Sequence, residues 1–170
     1  IESLDSALAR SANILCEITG FGFSSNGYHI SQSNVDGPYR AIEMAMKMSG
    51  VKASEIGYVN ANATSTPNGD ASEAQAILKA LGNDCPPVSS TKSMTGHECW
   101  MAGASEIVYS ILMMQNDFIA PNLNFTEPDE ATKGLPVTKE TLNKKFDVFL
   151  SNSFGFGGTN SSLIIRKFIK

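Results

Sequence analysis

Histidine, tryptophan and cysteine are scarce in this 170-residue chain, with two, one and three copies. Cys16, Cys85 and Cys99 are odd in number, form no Cys-x-x-Cys pair and have only His29 and His97 to help complete a tetrahedral site. A disulfide framework and structural zinc are therefore disfavoured. Positive charge is short as well. Thirteen Lys and Arg against seventeen Asp and Glu leave a net charge of −4, which gives no surplus for neutralising a phosphate backbone, so no nucleic acid is expected as partner. Uninterrupted apolar runs span only a few residues, far below the roughly 20 that cross a bilayer, and residues 1–10 lack the charged-then-apolar order of a secretion signal. The expectation is a cytoplasmic protein without membrane association.

What is present is enough apolar sequence, 42% of residues, for one well-buried core. Glu2 to Arg10 has the pattern of the last turns of a helix begun upstream, so the chain is expected to be a fragment. Ile14 to Phe23, rich in β-branched and aromatic residues and followed by Ser25-Asn26-Gly27, predicts a strand and a turn. From Asp36-Gly37-Pro38, the positions Ala41, Ile42, Ala45, Met46 and Met48 recur at helical spacing until Gly50. A short apolar strand over Ile56–Ala61, a helix over Asp70–Leu81 closed by Gly82, a brief strand at Val88–Ser90 and a helix over Ala102–Met114 continue the alternation. Two late strands, Phe146–Asn152 and Ser162–Arg166, are joined by Phe154-Gly155-Phe156-Gly157-Gly158. This alternation predicts a layered α/β sheet. Gln115 to Lys145, broken by Pro121, Pro128, Gly134 and Pro136, is expected to be irregular.

Three polar segments carry the candidate chemistry. Asn60-Ala61-Asn62-Ala63-Thr64-Ser65-Thr66-Pro67 leaves the end of a buried strand, where open α/β sheets place ligands; on spacing alone a turn that caps the following helix accounts for it better. Ser89-Ser90-Thr91-Lys92-Ser93-Met94-Thr95-Gly96-His97 sets one Lys and one His among small residues before a helix. Ser151 to Asn160 alternates Phe and Gly before Gly157-Gly158. It links two strands and opens no helix, so a mobile gate fits it better than a phosphate loop.

Together the three segments resemble the elongating β-ketoacyl-[acyl-carrier-protein] synthases of the thiolase fold. Lys92 to His97 and Asn152 to Asn160 are long, specific matches, and the likeness runs over nearly all 170 residues as the carboxyl-terminal half of those enzymes. It implies one domain over residues 1–170, a thiolase-like half built as a mixed five-stranded sheet with helices on both faces, and an absent amino-terminal half. The resemblance implies decarboxylative Claisen condensation of acyl and malonyl thioesters in fatty-acid or polyketide-like synthesis. The substrates would ride on the phosphopantetheine of an acyl carrier protein, with no further cofactor. By the same resemblance His97 is similar to the second catalytic histidine and Lys92 to the active-site lysine. Thr64 and Thr66 would hold the pantetheine arm, Phe154, Phe156 and Gly157 would form the acyl gate, and Asn60, Glu106, Ser151 and Asn152 would match a monovalent-cation site. A homodimer or heterodimer of the full-length protein is implied.

The chain also departs from that family. The nucleophilic cysteine belongs to the amino-terminal half, and none of the three cysteines here has its sequence context, so this chain alone is expected to be inactive. Asn62 stands where the first catalytic histidine belongs. Its amide still donates a hydrogen bond but does not titrate near neutral pH. Trp100 replaces a glycine just after Gly96-His97 and either fills part of the acyl tunnel or packs in the core. The alternative to an enzyme is a non-catalytic partner similar to chain-length factors. In either case an uncovered apolar face is expected, and with it self-association.

Overall fold

In the computed structural model, which describes residues 1–169, five strands form one mixed sheet in the order β1-β7-β6-β2-β3. They are β1 (Cys16–Ser25), β2 (Tyr58–Asn60), β3 (Val88–Ser89), β6 (Val148–Gly155) and β7 (Thr159–Lys167). The helices are α1 (Leu4–Ala9), α2 (Asp36–Ser49), α3 (Pro67–Leu81), α4 (Lys92–Thr95) and α5 (Ala102–Gln115). β1 and β6 each run antiparallel to β7, whereas β2 lies parallel to both β3 and β6.

Alternation along each strand divides the core in two. Val59, Val88, Val148, Leu150 and Ile164 face Ile42 and Ala45 of α2 and Ala76, Ile77 and Leu81 of α3. Tyr58, Phe149 and Ile165 point the other way, toward Met113 and Met114 of α5 and toward Ile119 and Phe146. Both faces of the sheet are thus covered by helices, as the alternation and the resemblance imply. α2 lies unusually close to β1 because Gly20 and Gly22 carry no side chain there. A Cβ on Gly22 would sit 1.8 Å from the carbonyl oxygen of Ala41, and one on Gly20 2.2 Å from that of Ala45.

Several boundaries differ from the sequence expectations. α1 spans Leu4–Ala9, with Ser3 as its N-cap, whose Oγ accepts from the Ser6 amide at 3.3 Å. β1 runs to Ser25 because its pairing with β7 extends to Ser25 opposite Thr159. α3 begins three residues early, since Pro67 has the preset φ of a first helical position and no amide to leave unpaired. The stretch from Gln115 to Lys145 holds a second sheet, β4 (Phe118–Ile119) paired with β5 (Leu142–Asn143). Two-residue strands leave no periodicity in a sequence, so the pattern does not predict them. Among the described residues no helix is long and apolar enough to cross a membrane.

Candidate active site

The first two polar segments meet because β2 and β3 are parallel, so the chain leaves both strands on one side of the sheet. Asn60 pairs in register with Ser89 on one side and Ser151 on the other, and the chain leaves all three strands in the same direction. The ends of β2 and β3 open onto a cavity of about 450 Å³ lined by Thr64, Ser65, Lys92, Ser93, His97 and Asn122, among others.

Beyond β2, the turn is fixed by carboxylates of α3. Glu73 is 3% exposed, and its Oε1 and Oε2 accept the amides of Asn62 and Ala63, each at 2.8 Å. Asp70 accepts the amide of Ser65 at 3.1 Å and so supports a non-glycine residue held at φ +64°. Burial pushes the Glu73 carboxyl up to about 7 against the pull of its hydrogen bonds and of Lys92. Sequence reading missed Glu73. Its signal was a carboxylate in phase with Ile77 and Leu81 on the buried stripe of α3.

Beyond β3, Lys92 opens α4 and is buried with Glu106 of α5 as an ion pair. Its Nζ also donates to Oδ1 of Asn62 at 3.4 Å. That bond orients the carboxamide, because an Oδ1 held by an ammonium leaves Nδ2 as the free donor. Burial raises the Glu106 carboxyl even though Lys92 opposes the shift. Gly96, at φ +74°, ends α4 and turns the chain so that His97 joins the cavity wall. His97 Nδ1 accepts the Cys99 amide at 3.0 Å, so the neutral ring carries its proton on Nε2. Thr64 and Thr66 share a hydroxyl contact of 3.1 Å, with Thr64 on the cavity wall and Thr66 at the start of α3.

The gate segment lies elsewhere. Phe154, Phe156 and Gly157 are not among the residues that line this cavity, and Phe156 is 83% exposed. Its turn is clasped by the loop after β1: Gly157 donates to the Ile30 carbonyl at 2.8 Å and Asn26 to the Gly158 carbonyl at 2.9 Å. Asn160 Nδ2 adds a bond to Asn26 Oδ1 at 2.7 Å.

The four residues expected to hold a monovalent cation divide. Asn60 Oδ1 and Glu106 Oε2 are buried without a hydrogen-bond partner, and Asn60 Nδ2 reaches Ser151 Oγ at 3.4 Å. Orphaned carboxamide and carboxylate oxygens are donor types that a hard cation takes, and of the four residues Asn60 and Glu106 supply them. Asn152 is already occupied, since its Nδ2 donates to Glu73 at 3.1 Å and its Oδ1 accepts from Ser162 at 2.8 Å. Among the described residues no cluster of three or more His, Cys, Asp or Glu could hold a metal.

A mixed sheet covered by helices on both faces, with a cavity lined by Lys92 and His97 at the ends of its parallel strands, defines a thiolase-like domain of the ketosynthase type. Residues 15–126 match the family described as Beta-ketoacyl synthase, C-terminal domain, and the chain belongs to that family. It is 44% identical over 167 residues to 3-oxoacyl-[acyl-carrier-protein] synthase 1 of Escherichia coli K12, a match over 98% of this chain and 40% of the relative. A crystal structure of a β-ketoacyl synthase from Burkholderia phymatum superposes with a TM-score of 0.92 at 40% identity, covering 99% of this chain and 41% of that one. The ishigamide ketosynthase/chain length factor superposes at 0.93 with 34% identity, over 99% and 42%. The chain thus spans about two fifths of the length of these proteins.

Proposed function

We propose that this chain supplies the oxyanion-binding side of a β-ketoacyl-[acyl-carrier-protein] synthase that performs decarboxylative condensation in fatty-acid or polyketide-like synthesis. The observation that supports the reading is that Lys92, which shares a cavity wall with His97, holds the carboxamide oxygen of Asn62 at 3.4 Å. Loss of carbon dioxide from a malonyl thioester leaves an enolate whose oxygen needs hydrogen bonds already aimed at it. Nε2–H of His97 and Nδ2–H of Asn62 are the two free donors. Lys92 orients the second by holding Asn62 Oδ1, and Glu106 keeps the Lys92 ammonium in place. Thr64 and Thr66 take the pantetheine arm of the carrier-bound substrate, and Phe154, Phe156 and Gly157 form the gate through which the acyl chain enters. No further cofactor is required. The nucleophile comes from outside these residues: burial raises the Cys16 thiol and pushes Cys85 up to about 11, which disfavours the thiolate at both, and Cys99 lacks the sequence context of the family's nucleophile. The isolated chain is therefore inactive, and acyl carrier protein and a longer, dimeric assembly are its partners.

Asn62 favours a second reading, a non-catalytic subunit similar to a chain-length factor, in keeping with the ketosynthase/chain length factor among its structural neighbours. The deciding experiment is malonyl-thioester decarboxylation by the full-length protein with its native partner. In a condensing enzyme Asn62→His adds a second imidazole and raises the rate by roughly 10²–10⁴, while Asn62→Ala lowers it. Turnover unchanged by both substitutions in folded protein eliminates the enzymatic reading and leaves the chain-length-factor one.

A further inference from the structure

Where α4 gives way to α5 the chain runs along the surface, and Met94, Thr95, His97, Cys99, Trp100 and Met101 are all exposed. Within that stretch Glu98 alone turns inward and is half-buried. Its Oε1 accepts the phenol of Tyr109 at 2.9 Å, and its Oε2 is shut off from solvent. Ser105 and Tyr109 stand four residues apart on α5, so they share one face of the helix and lean back toward its amino end, where the carboxylate sits. Hydrogen bonds from Ser105 and then Tyr109 hold the Glu98 carboxyl below its ordinary range, which keeps it ionised at neutral pH. The other end of this contact is rooted, because Tyr109 packs against the cluster that contains Met113, Met114 and Phe149. The turn itself supplies no such anchor. Gly96 at φ +74° and Cys99 at φ +51° interrupt the helical path, and the bond from the Cys99 amide to His97 Nδ1 closes within the turn. That bond sets the imidazole relative to the turn, whereas the contact of Glu98 with Tyr109 sets the turn relative to the fold.

We propose that Glu98 is a positioning residue for His97: by fastening the turn from Gly96 to Cys99 onto Tyr109, it holds the imidazole at the cavity wall. The catalytic consequence rests on His97 acting as an oxyanion donor; the anchoring does not. What the anchor requires is an acceptor for the phenol. Glutamine keeps one in its Oε1 and turns its NH₂ toward the Ser105 hydroxyl, whereas alanine has neither. A role for the negative charge itself, which lies within reach of Lys92, would instead make glutamine as harmful as alanine.

The test is residue-resolved amide hydrogen exchange on the full-length protein with its native partner, as it stands and as Glu98→Ala, Glu98→Gln and Tyr109→Phe. In Glu98→Ala and Tyr109→Phe the amides of Cys99 and Met101 exchange roughly tenfold faster, while those of Val59 and Leu150 in the core strands keep their protection. Glu98→Gln retains the protection of the parent. Malonyl-thioester decarboxylation by the same proteins follows: kcat falls about tenfold in Glu98→Ala and Tyr109→Phe with KM unchanged, and Glu98→Gln recovers most of it. Since both substitutions remove one contact, the double variant is no slower than either single one. Unchanged exchange at Cys99 and Met101, loosening in equal proportion across the core strands, or damage from glutamine equal to that from alanine overturns the proposal. Tyr109→Phe decides the matter if Glu98→Ala does not fold. A parent protein without decarboxylation defeats the condensation reading, and the exchange measurement still decides the role of Glu98.

Discussion

His97 depends for its chemistry on the backbone two residues on, since a ring whose Nδ1 is taken by the Cys99 amide offers only Nε2–H to a ligand. Lys92 and Glu106 are similarly interdependent. With side-chain exposures of 6% and 3%, removing either partner strands a buried charge. Glu106→Ala is expected to cost roughly 3–5 kcal/mol in urea unfolding, and the double replacement Lys92→Met with Glu106→Leu clearly less; equal losses in both would show that the pair is not coupled. Glu73 makes stability depend on pH. Its carboxyl rises from 4.5 in the unfolded chain to about 7 in the fold, so between those values the native state binds more protons. The resulting contribution to stability is fully present below pH 4.5 and is lost as the pH climbs through 7, at roughly 1.4 kcal/mol per pKa unit. Denaturant titrations from pH 4.5 to 8 should show that slope in the protein and a flatter one in Glu73→Gln. At the thiols, no cysteine should be acylated by a long-chain acyl thioester faster than a free thiol. Rapid stoichiometric labelling in intact-mass spectra, abolished by Cys99→Ala, would reveal a nucleophile at Cys99.

At the level of elements, the contact of α2 with β1 rests on two missing side chains. The helix backbone approaches Gly20 and Gly22 so closely that a methyl group at either must displace Ala45 or Ala41. Gly22→Ala is accordingly expected to lower stability by at least the roughly 1–3 kcal/mol of an overpacked core, measured as a fall in the denaturation midpoint. Gly27, at φ +71° with open space around it, is the control. Its Ala variant meets only backbone strain, about 1 kcal/mol. Comparable losses at both positions would mean that strand conformation, rather than helix approach, selects glycine in β1.

Over the whole molecule, large apolar side chains stand uncovered on the α5 side of the sheet. Phe21 and Phe23 project from β1 on the side opposite α2, and Trp100, Met101, Val108 and Leu112 line the exposed flank of α5 and the turn before it. Trp100 is fully exposed, so it is not core packing within this chain, as one sequence expectation allowed. Exposed apolar side chains in this number favour association. Sedimentation of the chain alone should show reversible, concentration-dependent oligomers that bind an apolar dye. Replacing Phe23 and Trp100 by serine should shift the distribution toward monomer without lowering the melting temperature. A strictly monomeric, dye-silent chain would contradict this.

The family, the α/β alternation and the identities of His97, Lys92 and Asn62 were legible in the sequence because each rests on local pattern: helical spacing in α2 and α5, turn residues after β1, and two uninterrupted motifs. Boundaries at α1, α3 and β1 were less legible, since caps and strand partners decide them, and β4 and β5 were too short to leave a period. The site divided in the same way. Sequence alone determined which residue types are available, down to the substitution of an amide for an imidazole at Asn62. Tertiary structure decided which of them meet: the parallel register of β2 and β3 brings Asn62 to Lys92 and sets Lys92 and His97 on one cavity wall, burial recruits Glu73, Asn152 is engaged by Glu73 and Ser162, and Phe156 is left outside the cavity. These outcomes depend on contacts between residues tens of positions apart, for which spacing along the chain holds no signal.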